Sequence, residues 1–106
     1  MSSDNREQFH DLTRKILELL VAACPMPVKI NADTFGFPKG SFNETQANGF
    51  IAFSGSYIET PEEEFLDRTL QWLTAEGFIR AGESEHYVAT LQTLKRFNSV
   101  PNTIRE

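Results

Sequence analysis

The chain has 106 residues, a formal net charge of −5 and 40% hydrophobic residues, including nine Phe. That is the size of one domain, with enough apolar material for a core of its own. Its one cysteine, Cys24, excludes an internal disulfide, no apolar run of about eighteen residues offers a membrane span, and the acidic balance disfavours polyanions as partners.

Residues 1–5 are polar and are expected to form a loose terminus. A first helix is expected over Arg6–Ala23, where Phe9, Leu12, Ile16, Leu19, Leu20 and Ala23 recur at spacings of three and four and make an inward stripe. Asp11 with Lys15, and Arg14 with Glu18, are opposite charges one turn apart on its wet side. The run ILELLVAAC beginning at Ile16 is interrupted by Glu18 and preceded by Asp4, Glu7 and Asp11, so it does not read as a secretion signal, which wants a basic leader. Pro25 and Pro27 stop the helix.

Val28, Lys29 and Ile30 form a short alternating run that suits a small strand. Residues 31–58 hold five of the nine phenylalanines (Phe35, Phe37, Phe42, Phe50 and Phe53) and four of the six glycines. One helical turn fits residues 33–37. A second helix fits residues 41–48, where Ser41 and Glu44 have the spacing of a capping box and Gly49 would close the last turn. Phe50, Ile51, Ala52 and Phe53 then read as extended.

From Thr60 the pattern is clearer. Thr60, Pro61 and Glu63 make a capping box with proline at the first helical position, Glu62, Glu63 and Glu64 favour the positive end of the helix dipole, and Gly77 is a C-terminal stop. Phe65, Leu66, Thr69, Leu70, Trp72 and Leu73 fall within an arc of roughly 160°, so Trp72 and Leu73 are expected as core anchors. Two short apolar runs, at Phe78-Ile79-Arg80 and His86-Tyr87-Val88-Ala89, flank the turn material Ala81 to Glu85 and suggest a hairpin. Thr90 fits the cap of a last helix with Leu91, Leu94 and Phe97 inward and Pro101 near its end.

The run Leu70-Gln71-Trp72-Leu73-Thr74-Ala75-Glu76-Gly77-Phe78-Ile79, followed by Tyr87-Val88-Ala89-Thr90 and Leu94, resembles the winged-helix superfamily, MarR-like and PadR-like regulators among them. In these a helix ends in Glu-Gly-Phe/Leu-Ile, a wing follows, and a Thr opens the final helix. The likeness covers the C-terminal third. It implies an α+β fold, a single winged-helix domain over residues 6–101 with three to four helices and a small antiparallel sheet, and a short tail at 102–106. It also implies that the strand at Val28 joins the hairpin and that the helix from Thr60 takes the place of the recognition helix.

The charge of that helix speaks against DNA. Its outward Glu63, Glu64 and Asp67 face one basic residue, Arg68, and the wing turn adds Glu83 and Glu85. Nonspecific affinity for duplex DNA comes largely from cations at phosphates.

Nothing in the sequence carries chemistry by spacing. His10, His86 and Cys24 show no metal-ligand pattern, the glycines make no phosphate loop, and Glu62 to Glu64 read as helix-start electrostatics. The expectation is therefore a non-catalytic cytoplasmic module without metal or cofactor. It would bind another protein, possibly itself, through Phe42, Phe50, Phe53, Glu63, Glu64, Asp67, Arg68 and Gln71. The alternative is a DNA-binding transcriptional regulator, which a basic surface assembled from Arg14, Lys15, Lys29, Lys95 and Arg96 would favour.

Overall fold

The protein is described by a computed structural model covering residues 5–47 and 50–104, with backbone pairing alone for residues 41–57. It is a small α+β domain. Three α-helices, α1 (Arg6–Ala23), α2 (Pro61–Ala75) and α3 (Leu91–Arg96), accompany five strands: β1 (Val28–Lys29), β2 (Ser41–Ala47), β3 (Phe50–Ile58), β4 (Ile79–Ala81) and β5 (His86–Ala89). A one-turn 3-10 helix at Ala32–Phe35 and another at Asn102–Ile104 complete the order. The strands form a three-stranded antiparallel sheet, β1-β5-β4, and a separate two-stranded hairpin, β2-β3. Among the described residues no helix is long and apolar enough to cross a membrane.

The core sits where α1 and α2 cover the small sheet. Leu12, Ile16, Leu17 and Leu20 of α1, Leu66, Leu70 and Leu73 of α2, Ile30, Ile79 and Ala89 form one buried cluster. The stripe on α1 therefore includes Leu17, and Leu19 lies on the wet side at 39% exposure. Ala23 is half-buried. Arg14 reaches back to Asp11 at 3.2 Å rather than forward to Glu18.

The strand at Val28 pairs with β5, Val28 opposite Tyr87 and Lys29 opposite His86. The turn between β4 and β5 is tighter than five residues. Ala81 belongs to β4, the Gly82 N–H donates to the His86 carbonyl at 2.7 Å, and Ser84 and Glu85 both take positive φ, 47° and 66°. Neither residue favours that region. Glu85 is held there by its carbonyl, which accepts from the Ile30 N–H at 2.9 Å, and by its carboxylate, which accepts from the Asn31 amide at 3.3 Å.

The corner between α2 and β4 has a firm construction. Gly77 adopts φ +84°, the left-handed region that costs a residue with a side chain and costs glycine little. The fully buried Thr93 donates its hydroxyl to the Phe78 carbonyl at 2.5 Å, and the Thr90 hydroxyl donates to the Gly77 carbonyl at 2.6 Å. Thr90 thus precedes α3 as expected, but its hydroxyl braces the corner instead of capping the helix. α3 ends at Arg96, five residues before Pro101, and turns Thr93 inward while Leu91 stays 46% exposed.

The segment expected to be a helix over residues 41–48 is strand β2, paired with β3 from Ser41↔Ile58 to Ala47↔Phe50. Residues 48 and 49 lie outside the described residues. The Ser41/Glu44 spacing is a two-residue signal with no apolar stripe behind it, whereas pairing with the extended apolar run at Phe50 supplies a ladder of backbone hydrogen bonds. The overlooked cue is the dipeptide Asn48-Gly49 between two potential strands, a strong hairpin signature. The register shifts between Phe42 and Glu44. The radius of gyration is 17.7 Å and the longest dimension 68 Å, against about 13 Å for the radius of a compact chain of this size.

One carboxylate closes the base of this hairpin. Glu63 Oε1 accepts from the Gly40 N–H at 2.8 Å and from the Thr60 N–H at 3.1 Å, while the Glu63 N–H donates to Thr60 Oγ1 at 3.1 Å. The Thr60 hydroxyl donates to the Pro38 carbonyl at 2.8 Å. The expected capping box is therefore formed, and it ties the chain before β2 to the chain after β3. Gly40 is packed so close that a Cβ there would lie 1.7 Å from the Ile58 carbonyl oxygen. Replacing Glu63 by Ala removes two charge-assisted hydrogen bonds and is expected to cost about 1–2 kcal/mol. Glu63→Gln, which keeps an acceptor, should cost less. Urea unfolding of the three proteins measures both, and identical midpoints would refute this cap.

Candidate functional site

Two of the concave regions border α2 at different points along its length, one on its N-terminal half and one near its C-terminal end. One is polar and acidic. Asn31, Ala32, Asp33, Lys39, Glu59, Glu63, Leu66, Asp67 and Glu85 surround a cavity of about 380 Å³. Lys39, its one cation, pairs with Asp33 at 3.1 Å. Glu59 is exposed, yet its carboxyl is pushed up to about 7, first by the hydrogen bond it shares with Asp67, then by partial desolvation and the charges of Asp67, Glu63 and Glu64. Burial, with the charges of Asp67 and Glu85, also raises the phenol of Tyr87.

The other region is aromatic and lies between α1, the end of α2 and α3. Its cavity measures about 340 Å³. Phe9, His10, Thr13, Arg14 and Leu17 come from one face of α1, Trp72 and Leu73 from α2, Phe78 from the entry to β4, and Arg96 and Phe97 from the end of α3. Trp72 stands in the middle of the wall. It meets Phe9 edge-on with ring centres 5.3 Å apart and stacks on Phe78 at 6.2 Å with 18° between the planes. The Arg96 guanidinium lies over the other ring of that stack, 5.6 Å from the Phe78 centroid. Thr13 Oγ1 is buried and, among the described residues, has no hydrogen-bond partner.

The expectation that Trp72 is a core anchor fails, for it is 45% exposed, whereas its neighbour Leu73 is 1% exposed. Both lie in the apolar arc of α2, but Trp72 sits at its edge, where α1 and α3 approach without closing over it. The indole is braced by two aromatic rings and left open on one side.

The residues proposed from sequence as an interaction surface are distributed differently. Glu63 is the hairpin clamp described above. Glu64 and Arg68 form an exposed pair at 3.8 Å, Asp67 bonds with Glu59, and Gln71 is exposed. Phe42, Phe50 and Phe53 fall on β2 and β3, and their side chains lie outside the described residues. Phe35 and Phe37 pack on each other with ring centres 5.6 Å apart and against the core. Of the cations considered as a basic face, the fold brings Arg14 and Arg96 to one groove, with Lys95 next to Arg96 on the adjoining surface. Lys15 borders a different depression with Phe37 and Glu62, and Lys29 is on β1.

His10 lines the aromatic groove, His86 Nδ1 lies against the Glu83 and Ser84 carbonyls, and Cys24 Sγ is 3.9 Å from the Ala89 carbonyl. Among the described residues no group of three His, Cys, Asp or Glu side chains could hold a metal ion. Comparison of the chain with protein-family models, with curated proteins and with solved structures finds no match.

Two expected outcomes follow from these geometries. Trp72→Ala should cost about 1–2 kcal/mol, the scale of two aromatic contacts on a half-open site, and Leu73→Ala about 2–5 kcal/mol. Urea unfolding orders the two, and the reverse order would mean that the groove is closed in solution.

The Glu59 carboxyl holds its proton to about 7 in the folded chain, against an ordinary value of 4.5. Its contribution to stability is therefore complete below 4.5 and is lost as pH rises through 7, because the folded chain holds a proton that the unfolded chain has released. Unfolding midpoints between pH 5 and pH 8, at about 20 mM and about 500 mM salt, should fall with pH in the wild type relative to Glu59→Gln, and less at high salt. Parallel profiles would contradict the shared proton.

Proposed function

We propose that this chain is a non-catalytic, cytoplasmic protein-binding module on a winged-helix-like core, and that it docks its partner in the groove around Trp72. The observation that carries the reading is an indole nearly half exposed yet braced between Phe9 and Phe78, in a wall with two arginines and no acidic residue. Tryptophan and arginine dominate the energetic centres of protein interfaces, and a braced aromatic loses little conformational freedom on binding.

The chain runs α1, β1, a 3-10 turn, the β2–β3 hairpin, α2, the β4–β5 hairpin and α3; the hairpin after α2 and the pairing of β1 with β5 support the winged-helix likeness, while the β2–β3 hairpin stands where that likeness would place a second helix. In that reading α2 stands where a recognition helix would, and its outward face is acidic. Glu64 and Asp67 are exposed, and Arg68 is engaged with Glu64. Glu83 and Glu85 mark the wing turn. Phosphates would meet carboxylates first.

A DNA-binding regulator remains the second reading, because Arg14 and Arg96 come together in one groove. An enzyme is the third reading.

Photo-crosslinking in the source cells tests the docking face. A benzoyl-phenylalanine at position 10, on the groove rim, should give a discrete protein adduct that Trp72→Ala abolishes. The same probe at position 64 should not. Adducts from position 64 alone, or none from either, would reject the groove. In parallel, labelled duplex DNA at about 150 mM salt should show no binding in the range of about 10⁻⁶ M. Micromolar binding that weakens steeply with salt would place the regulator first.

A further inference from the structure

We infer that the partner of the Trp72 groove is a segment of another protein that presents one large apolar side chain, aromatic or leucine, flanked by carboxylates. The inference rests on the docking reading above and specifies its chemistry.

The walls dictate the anchor. Phe9, Trp72, Phe78 and Phe97 offer ring faces and edges, and Leu17 and Leu73 close the floor. A single bulky side chain inserted there covers the exposed indole and leaves the partner backbone at the rim.

Charge dictates the flanks. The chain carries fifteen acidic and ten basic residues, yet the groove is lined by two arginines and no carboxylate. Among the described residues no carboxylate lies within salt-bridge distance of Arg96. Among the described residues Arg14 is held by Asp11 alone, through an exposed pair three residues back on the same helix, which is a weak and exchangeable contact. Guanidinium groups with free edges take carboxylates two bonds at a time.

A second copy of this chain is the weaker occupant. Its own acidic run, Glu62 to Glu64, is followed by Phe65, and that ring packs against the core instead of projecting from it.

The test uses the full chain and a phage-displayed library of random twelve-residue peptides. Selected peptides are expected to share an aromatic residue or leucine with at least two Asp or Glu within four positions. Synthetic versions should lose at least tenfold in affinity to Trp72→Ala and to Arg96→Glu, and should bind less tightly as salt rises. Arg96 is an exposed rim residue outside the core cluster, so its charge reversal remains informative if Trp72→Ala folds poorly. Selection against the double variant Arg14→Glu/Arg96→Glu should exchange the acidic flanks for basic ones.

Peptides that need Trp72 but have neutral or basic flanks, and ignore Arg96→Glu, would overturn the acidic inference and leave the docking groove standing. Selection of no groove-dependent peptide would overturn both. Displacement of the peptides by excess unlabelled chain, with concentration-dependent sedimentation, would assign the groove to self-association instead.

Discussion

The threonine brace on the α2–β4 corner is the constraint from which the rest follows. Gly77 turns the chain through a left-handed conformation, and the exposed carbonyls of that turn are taken by Thr90 and Thr93 from the far side of the β-hairpin. A carbonyl that a turn leaves out of the helical ladder is satisfied by whatever donor lies beside it. Here the donors belong to the start of α3, so the corner, the hairpin and the last helix are fixed together. Phe78 is the residue so held. Ile79 beside it enters the core, while the Phe78 ring goes the other way to support Trp72 and to carry Arg96.

That arrangement also separates charge. The N-terminal half of α2, the segment before it, the 3-10 helix at Ala32–Phe35 and the β4–β5 turn gather Glu63, Asp67, Glu59, Asp33 and Glu85, and the crowding shows in the raised carboxyl of Glu59. The C-terminal half of α2 faces arginines. A net charge of −5 is therefore a poor summary of what an approaching molecule meets, because field and contact chemistry differ between the two ends of one helix.

The long helices could be read from sequence because their signals are local. Both bounds of α1, the cap at Thr60 and the stop at Gly77 depend on residues within a turn of each other. What depends on distant neighbours was less visible. Leu19 and Leu91 have the periodicity of core positions, yet among the described residues they are 39% and 46% exposed. Trp72 has it too, yet its cover is partial. β2 was misread since a capping-box spacing at Ser41 and Glu44 is weak without a stripe behind it, and Asn48-Gly49 was the better guide. The aromatic groove could not be foreseen at all. It joins residues from positions 9–17, 72–78 and 96–97, and no pattern in sequence brings these segments together.

The clamp at Glu63 gives the long hairpin a particular relation to the domain. Its two ends meet, with the Gly40 backbone against the Ile58 carbonyl and one carboxylate spanning Gly40 and Thr60. The hairpin that runs from Ser41 to Ile58 is thus grafted on a stem that the helix cap has already closed. A graft of this kind behaves as a cassette. Its length, its register and its residues can change in evolution or in the laboratory while the helices and the three-stranded sheet receive the same two chain ends, in the same place, at the same spacing.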